Sequence, residues 1–572
     1  MLAAAELTLP SVTRAIARVE QMGDSARAEM IVVADRILAH EFDLLGSGPV
    51  NLGPRIDWQR DFKSGRRWPL EHISKIVVSY PDGSDIKVPW ELSRAQHLPL
   101  LALAHRISGD ARYLDEVGAE LTDWIAANPV EFGANWQCTM DVAIRAVNWV
   151  AALAVCRAEA ADAAWMEPVL SSLLLHARFI RANLEYGPAR GNHYLSDVVG
   201  LLVVAGLFQT SAEGRGWISW SIGQLAREQR HQIRADGCDH EASISYHRLV
   251  TELFLVGADA AGVLAPRTLD PSVRAALGRM LGFVADYTRP DGLAPQIGDA
   301  DNGRLLPLED YGLADQRAHL HLFRQAGVQT PTVRESAAYA AGGFYVLRTG
   351  DLYAALRCGD VGLYGRGCHA HNDLLGFELC WRDVPLVVDP GSFLYTADPA
   401  QRNAFRSTAA HATLQIDDRE QNEVPADRLF AMPDRARAEA LVFTAQPIPV
   451  FQGRHSGYRT PADSCLHTRT VRLDGPGGRL ELTDDIQSSA NHDLTWRFPL
   501  APCEVQTAPS LAIARFAGVT LHISSDGLEV GVQAGYLSPA YGERISAPVV
   551  TFRSRSRPGV HRTLITLTMS AG

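Results

Sequence analysis

The sequence predicts an α+β fold in two domains: a helical half over residues 1–335 and an antiparallel β-sandwich over 336–572. Three observations carry this. A chain of 572 residues is too long for one ordinary hydrophobic core. Residues from about 10 to 330 hold a succession of helix-length stretches, several with apolar residues three and four apart. Beyond about 335 the pattern changes to short β-rich runs broken by Gly, Asp and Pro.

In the first half the predicted helices are ARAEMIVVADRILAHEF, RAQHLPLLALAHRIS, TMDVAIRAVNWVAALAV, YLSDVVGLLVVAGLF, YHRLVTELFLVGADAAGVL and VRAALGRMLGFVADYT. YGPARGN, RADGCDH and RPDGLAP punctuate them as loops. Many helices with few strands point to helical hairpins packed around a centre. Periodicity alone does not separate a toroid from a bundle or a solenoid. The segment RQAGVQTPTVRESAAYAAGG, about 325–340, reads as the domain boundary. In the second half, RLDGPGGRLEL reads as a hairpin, and the strand spacing suits a sandwich.

Bulk composition excludes several classes. With 54 Lys and Arg against 65 Asp and Glu, the net charge is −11, which argues against a general nucleic-acid or anionic-membrane binder. An acidic substrate then requires a locally cationic cleft. Eight scattered cysteines with no CxxC pair read as reduced thiols. The N-terminus shows no basic region followed by an apolar core, so no signal peptide is expected. The longest apolar run, VVGLLVVAGLF, is too short to span a bilayer.

Two segments of the helical half carry candidate chemistry. RGNHYLSD sets Asn192 and His193 at a loop-to-helix junction, where side chains are exposed and backbone N–H groups can face an anion. The bland alternative makes Asn192 a helix cap and His193 a surface residue. DGCDHEASISYH sets Glu241 and Tyr246 near a second helix start. Tyr246 is either a general acid or base or a core aromatic, and Glu241 either a first-turn carboxylate or a support for a catalytic group.

In the β half, GCHAHNDLLGFEL, VVDPGSF and RNAFRSTAAHATL place His369, His371, Asp389 and His411 on segments that read as strands. Residues two apart on a strand share a face, so both histidines could bind one metal. A bend could instead send one to the substrate and one to the metal. A metal-free cluster hydrogen-bonded in the core is the third reading. Trp136, Gln137, Arg402 and Tyr458 are weaker candidates for a sugar cleft. The clusters Trp90, Glu91, Arg94, His97 and Asn135, Arg145 are equally suited to pinning helix ends. Arg406 can pair carboxylates or sulfates, and His455 and His467 sit with Tyr458 on a possible cleft edge.

Taken in order, IDWQRDFKSGRRWP, VPWELSRAQHLPLLA, GNHYLSD, ASISYH and the three β-half motifs resemble the heparinase II/III family over most of the chain. The resemblance implies an N-terminal α/α-toroid, an incomplete barrel, and a C-terminal antiparallel β-sandwich. It implies a polysaccharide lyase that cleaves a uronic-acid polymer by β-elimination. Asn192 would then bind the uronate carboxylate, with His193 as base or carboxylate partner. Tyr246 would protonate the leaving oxygen, and His369 would assist. His371, Asp389 and His411 would hold a structural zinc. Trp136, Gln137, Glu241, Arg402 and Tyr458 remain the substrate-binding candidates. The expected partner is an acidic polysaccharide, unsulfated or lightly sulfated because the arginines are scattered. The family is usually periplasmic or secreted, at odds with the missing leader. A noncatalytic polysaccharide-binding or assembly protein on the same fold is the alternative, and a zinc hydrolase is a third.

Overall fold

The computed structural model describes residues 7–313, 315–331 and 335–571. Residues 1–6, which begin the segment read for a leader, and 332–334, inside the expected boundary segment, lie outside the described residues.

The helical half is two rows of antiparallel helices. Its inner row runs Leu98–Ser108, Thr139–Ala160, Asn192–Leu207 and Ile244–Leu264, each packed on the next. An outer row of Ala111–Ala127, Met166–Ala182, Ala212–Gln232 and Pro271–Tyr287 alternates with it in sequence, so each consecutive pair is a hairpin. The inner helices are apolar nearly all round because both their faces are covered. Thr139–Ala160 is long and apolar enough to cross a bilayer, but 94% of its apolar window is buried inside this layer. Asn192–Leu207 and Thr139–Ala160 approach closely at Gly200, where a Cβ would sit 2.6 Å from the Cβ of Ala143.

After the last helix of this half, His321–Ala326, the chain enters a five-stranded antiparallel sheet ordered Ala337–Tyr339, Phe344–Thr349, Leu352–Arg357, Phe377–Trp381, Val384–Val387. An eight-stranded and a four-stranded antiparallel sheet follow. RLDGPGGRLEL is the predicted hairpin: Leu466–Asp474 pairs with Arg479–Ser488, closing at Asp474 opposite Arg479. Interior residues alternate along these two strands, as half-buried strands require.

One core fills the helical half and a second fills the sandwich. A third cluster joins them, with Ile244, Phe283 and Tyr287 of the helices against Phe344, Val346 and Tyr353 of the five-stranded sheet. Tyr353 Oη donates to Tyr287 O at 2.6 Å, and Arg289 meets Glu378 at 3.2 Å with both side chains buried. All eight cysteines are free thiols.

Candidate active site

A cleft of about 490 Å³ opens where the halves meet. Its walls include Asn192, His193, Glu241, Tyr246 and Asp301 from the helical side and Leu363, Arg366, His369, Tyr395 and Phe430 from the β side.

Asn192 is the first residue of its helix; Gly191 holds the cap position. Asn192 is therefore not the cap. Its backbone N–H donates to Glu241 Oε1 at 2.6 Å, and Nδ2 donates to Glu241 Oε2 at 2.9 Å. Gly191 permits this approach, since a Cβ there would lie 2.3 Å from Glu241 Oε1. With Nδ2 committed, Asn192 Oδ1 is left buried and unpartnered at the cleft wall. His193, half exposed, pairs through Nδ1 with Glu185. Burial opposes a charge on this imidazole, but Glu185 overrides it and lifts the pKa to about 9.

Ser243 caps the Ile244–Leu264 helix by accepting from Tyr246 N, which turns Tyr246 into the cleft and His247 into the core. Tyr246 Oη donates to Asp301 Oδ2 at 3.1 Å and lies 3.4 Å from Tyr395 Oη. Burial, with Asp301 and Asp299 nearby, pushes its pKa well above that of an ordinary phenol, so it is protonated at neutral pH. Lys87 Nζ sits 3.0 Å from Asp301; burial alone would favour the acid, but Lys87 and Arg94 hold the carboxyl below the usual range.

His369 stacks on Tyr246 with ring centroids 3.7 Å apart. Its Nδ1 lies 3.0 Å from Asp299 Oδ2 and its Nε2 3.3 Å from Glu241 Oε2. Asp299 also receives His371 Nε2 at 3.0 Å and both terminal nitrogens of Arg402 at 2.8 Å. Burial would raise its pKa, but Arg402 and the two imidazoles hold it well below the carboxylate range. An ionised Asp299 must accept from both rings, so each imidazole has one nitrogen left over. That of His369 faces Glu241 at the cleft. His371 Nδ1 is buried without a partner. His411 Nδ1 lies 2.9 Å from Asp389 Oδ2, and His411 Nε2 is likewise buried and unpartnered. One donor atom from each of His371, Asp389 and His411 falls within 4.8 Å of the others. Two histidines, each with a buried unpartnered nitrogen, clustered with a carboxylate have the donor chemistry of a zinc-type site, with Asp299 as the outer partner that orients His371.

Neither histidine lies on a strand. Residues 368–376 form bends and turns before Phe377–Trp381, Asp389 follows Val384–Val387 in a loop, and His411 sits between a short 3-10 turn and Leu414–Ile416. Trp136 is 1% exposed and packs on Trp124, His176 and Phe179 in the helical core, so it lines no cleft. Gln137 beside it also lies off the cleft wall. Tyr458 is 1% exposed and donates to Leu414 O inside the sandwich. Arg402 is buried behind Tyr395 and Phe430, where it braces Asp299 instead of facing substrate. Arg145, Arg406, His455 and His467 are buried in structural networks. Trp90 and Arg94 do line the cleft.

Lys87, Asp299, Asp301 and Tyr395 escaped the sequence reading. Asp299 and Asp301 carry a weak local signal, two aspartates within the glycine-flanked loop GDADNG. Lys87 and Tyr395 carry none.

Comparison with known proteins agrees with this layout. The model of the heparinase II/III N-terminus matches residues 12–309, and that of the heparinase II/III-like C-terminal region matches 331–561. A heparin-sulfate lyase of Pedobacter heparinus is 25% identical over 70% of this chain and 59% of its own length. One from Bacteroides stercoris is 24% identical over 68% and 60%. The chain thus spans about 60% of the length of these relatives. A crystal structure of heparinase III superposes with a TM-score of 0.73 at 18% identity, covering 100% of this chain and 87% of that one. The heparan sulfate lyase structure from Pedobacter heparinus gives 0.60 at 22%, covering 97% and 84%. Because the two family models together account for most of the sequence, the chain belongs to the heparinase II/III family.

Proposed function

We propose that this protein is a polysaccharide lyase that cleaves an acidic, uronic-acid-containing polysaccharide by β-elimination. The observation that carries the reading is the convergence of the Asn192–Glu241 pair, Tyr246 and His369 in one cleft built from both halves. Relatives named heparin-sulfate lyase support the substrate class.

Abstraction of the C5 proton of a uronate builds charge on its carboxyl group, so groups that neutralise that carboxyl lower the barrier. Protonated His193 attracts the carboxylate. Asn192 Oδ1 and Glu241 are acceptors, so they favour a carboxyl that retains a proton between itself and the protein. His369 Nε2, in a ring oriented by Asp299, takes the C5 proton. The C4–O4 bond then breaks, its electron pair leaving on O4 as the C4–C5 double bond forms. Tyr246 gives its phenolic proton to O4 and is reprotonated from solvent through the Asp301 side. No water enters the reaction, so no glycosidase-type carboxylate pair is required.

His371, Asp389 and His411 would hold a zinc ion that staples the loops behind His369. This group is buried and off the cleft wall, which favours a lyase over a zinc hydrolase. The test is a panel of uronic-acid polymers. Growth of ultraviolet absorbance from the conjugated product is the expected result. New reducing ends without that absorbance would establish hydrolysis, and binding without either would establish a noncatalytic role.

A further inference from the structure

The mechanism above leaves the cleft rim unused, yet the rim carries unusual side chains. Tyr186 is 66% exposed, among the most exposed large apolar side chains described. Tyr186 lines the cleft from the helical side, with the Arg190 guanidinium 4.8 Å over its ring. On the β side the wall is a turn that supplies Leu363 and Arg366, whereas Tyr364 between them lies off the wall, bonded through Oη to His231 Nδ1 at 2.9 Å. The two loops touch, because a Cβ on Gly191 would lie 3.3 Å from Leu363 Cδ2.

Charge completes the picture. Of the other cleft cations, Lys87 pairs with Asp301, Arg94 with Glu91 and Asp141, Arg190 with Glu228, and His193 with Glu185. Arg366 is exposed at the cleft and, among the described residues, forms no ion pair.

We propose that Tyr186 and Arg366 form an outer sugar subsite beside the reacting ring, taking a pyranose that bears one carboxylate or sulfate ester. The C–H face of a pyranose is apolar and packs on an aromatic face, while a free guanidinium matches a planar or tetrahedral oxyanion through paired N–H donors. This inference rests on the lyase reading for its polymer class.

The test uses oligosaccharides of two, four and six sugars, cut from an unsulfated glucuronate–N-acetylglucosamine polymer and from heparan sulfate. Affinity and, where cleavage occurs, KM and kcat are measured for wild type, Tyr186→Ala and Arg366→Ala. Each variant should weaken the six-sugar probe by about tenfold in Kd or KM, with a penalty that grows with chain length and little change in kcat. Tyr186→Phe should restore most of the affinity. A larger Arg366→Ala penalty on the sulfated series identifies a sulfate reader; equal penalties identify a carboxylate reader. Length-independent penalties, no penalty, or no wild-type binding of any probe would overturn the subsite. Length-dependent binding without cleavage would retain the subsite and refute the lyase, so the two failures are distinguishable.

Discussion

Asp299 is the residue on which two sites depend. One oxygen serves His369 at the cleft, the other His371 in the metal-type cluster, and Arg402 spans both. Asp299→Asn should cut turnover and, as loss of an outer partner, weaken metal affinity by about 10–100-fold. It also strands the buried Arg402 charge, at a cost of about 3–5 kcal/mol. Adding Arg402→Met should recover stability without recovering turnover; recovery of both would deny Asp299 its orienting role. Tyr246→Phe keeps the ring stacked on His369 and removes the proton, so kcat should fall by about 10²–10⁴ while binding holds. Wild-type kcat in that variant would refute the acid role. His193 provides a pH test. Its pKa is raised to about 9 from 6.5, so the stabilisation from Glu185 is full below 6.5 and is lost as pH rises through 9. His193→Gln should flatten that part of the stability profile in thermal melts; an unchanged slope would show that the pair contributes nothing.

At the scale of elements, the helix Asn192–Leu207 delivers the site because it packs tightly along Thr139–Ala160. Gly200→Val would force these helices apart where Ala143 lies beneath, costing about 1–3 kcal/mol by urea or thermal unfolding. The change is distant from the chemistry, so any loss of kcat would report displacement of Asn192. The hairpin Leu466–Asp474/Arg479–Ser488 was legible in the sequence because alternation and glycine turns are local properties. The segment holding His369 and His371 was misread for the same reason. Its alternation suits a strand, but its polar groups are claimed by Asp299, Arg406 O and Asn422, which pull it into turns. The two histidines do face one carboxylate, as strand spacing would have it. They reach it through opposite ring nitrogens, and that alone gives them separate tasks.

For the whole molecule, the site exists because a third hydrophobic cluster joins the halves at fixed geometry. Backbone bonding reinforces it, with Asp299 N donating to His369 O at 2.9 Å. Removal of the proposed zinc by a chelator should lower the melting temperature and slow turnover by loosening the loops behind His369. His411→Ala should show the lower melting temperature from the start and no further response to chelator. Equal metal content in wild type and that variant would remove His411 from the ligand set.

What the sequence determined by itself was whatever depends on near neighbours: the change from helical to strand periodicity, the turn chemistry, and the motifs that place Asn192, Tyr246 and His369 in one family. What only the tertiary structure decided was whatever depends on contacts between residues far apart in the chain. Trp136, Tyr458 and Arg402 have the chemistry of a sugar cleft, and packing buries all three away from it. Lys87, Asp301 and Tyr395, separated by more than 200 residues at the extremes, meet around one phenol. Side-chain type is a local fact, whereas burial and partner choice are set by how distant segments pack.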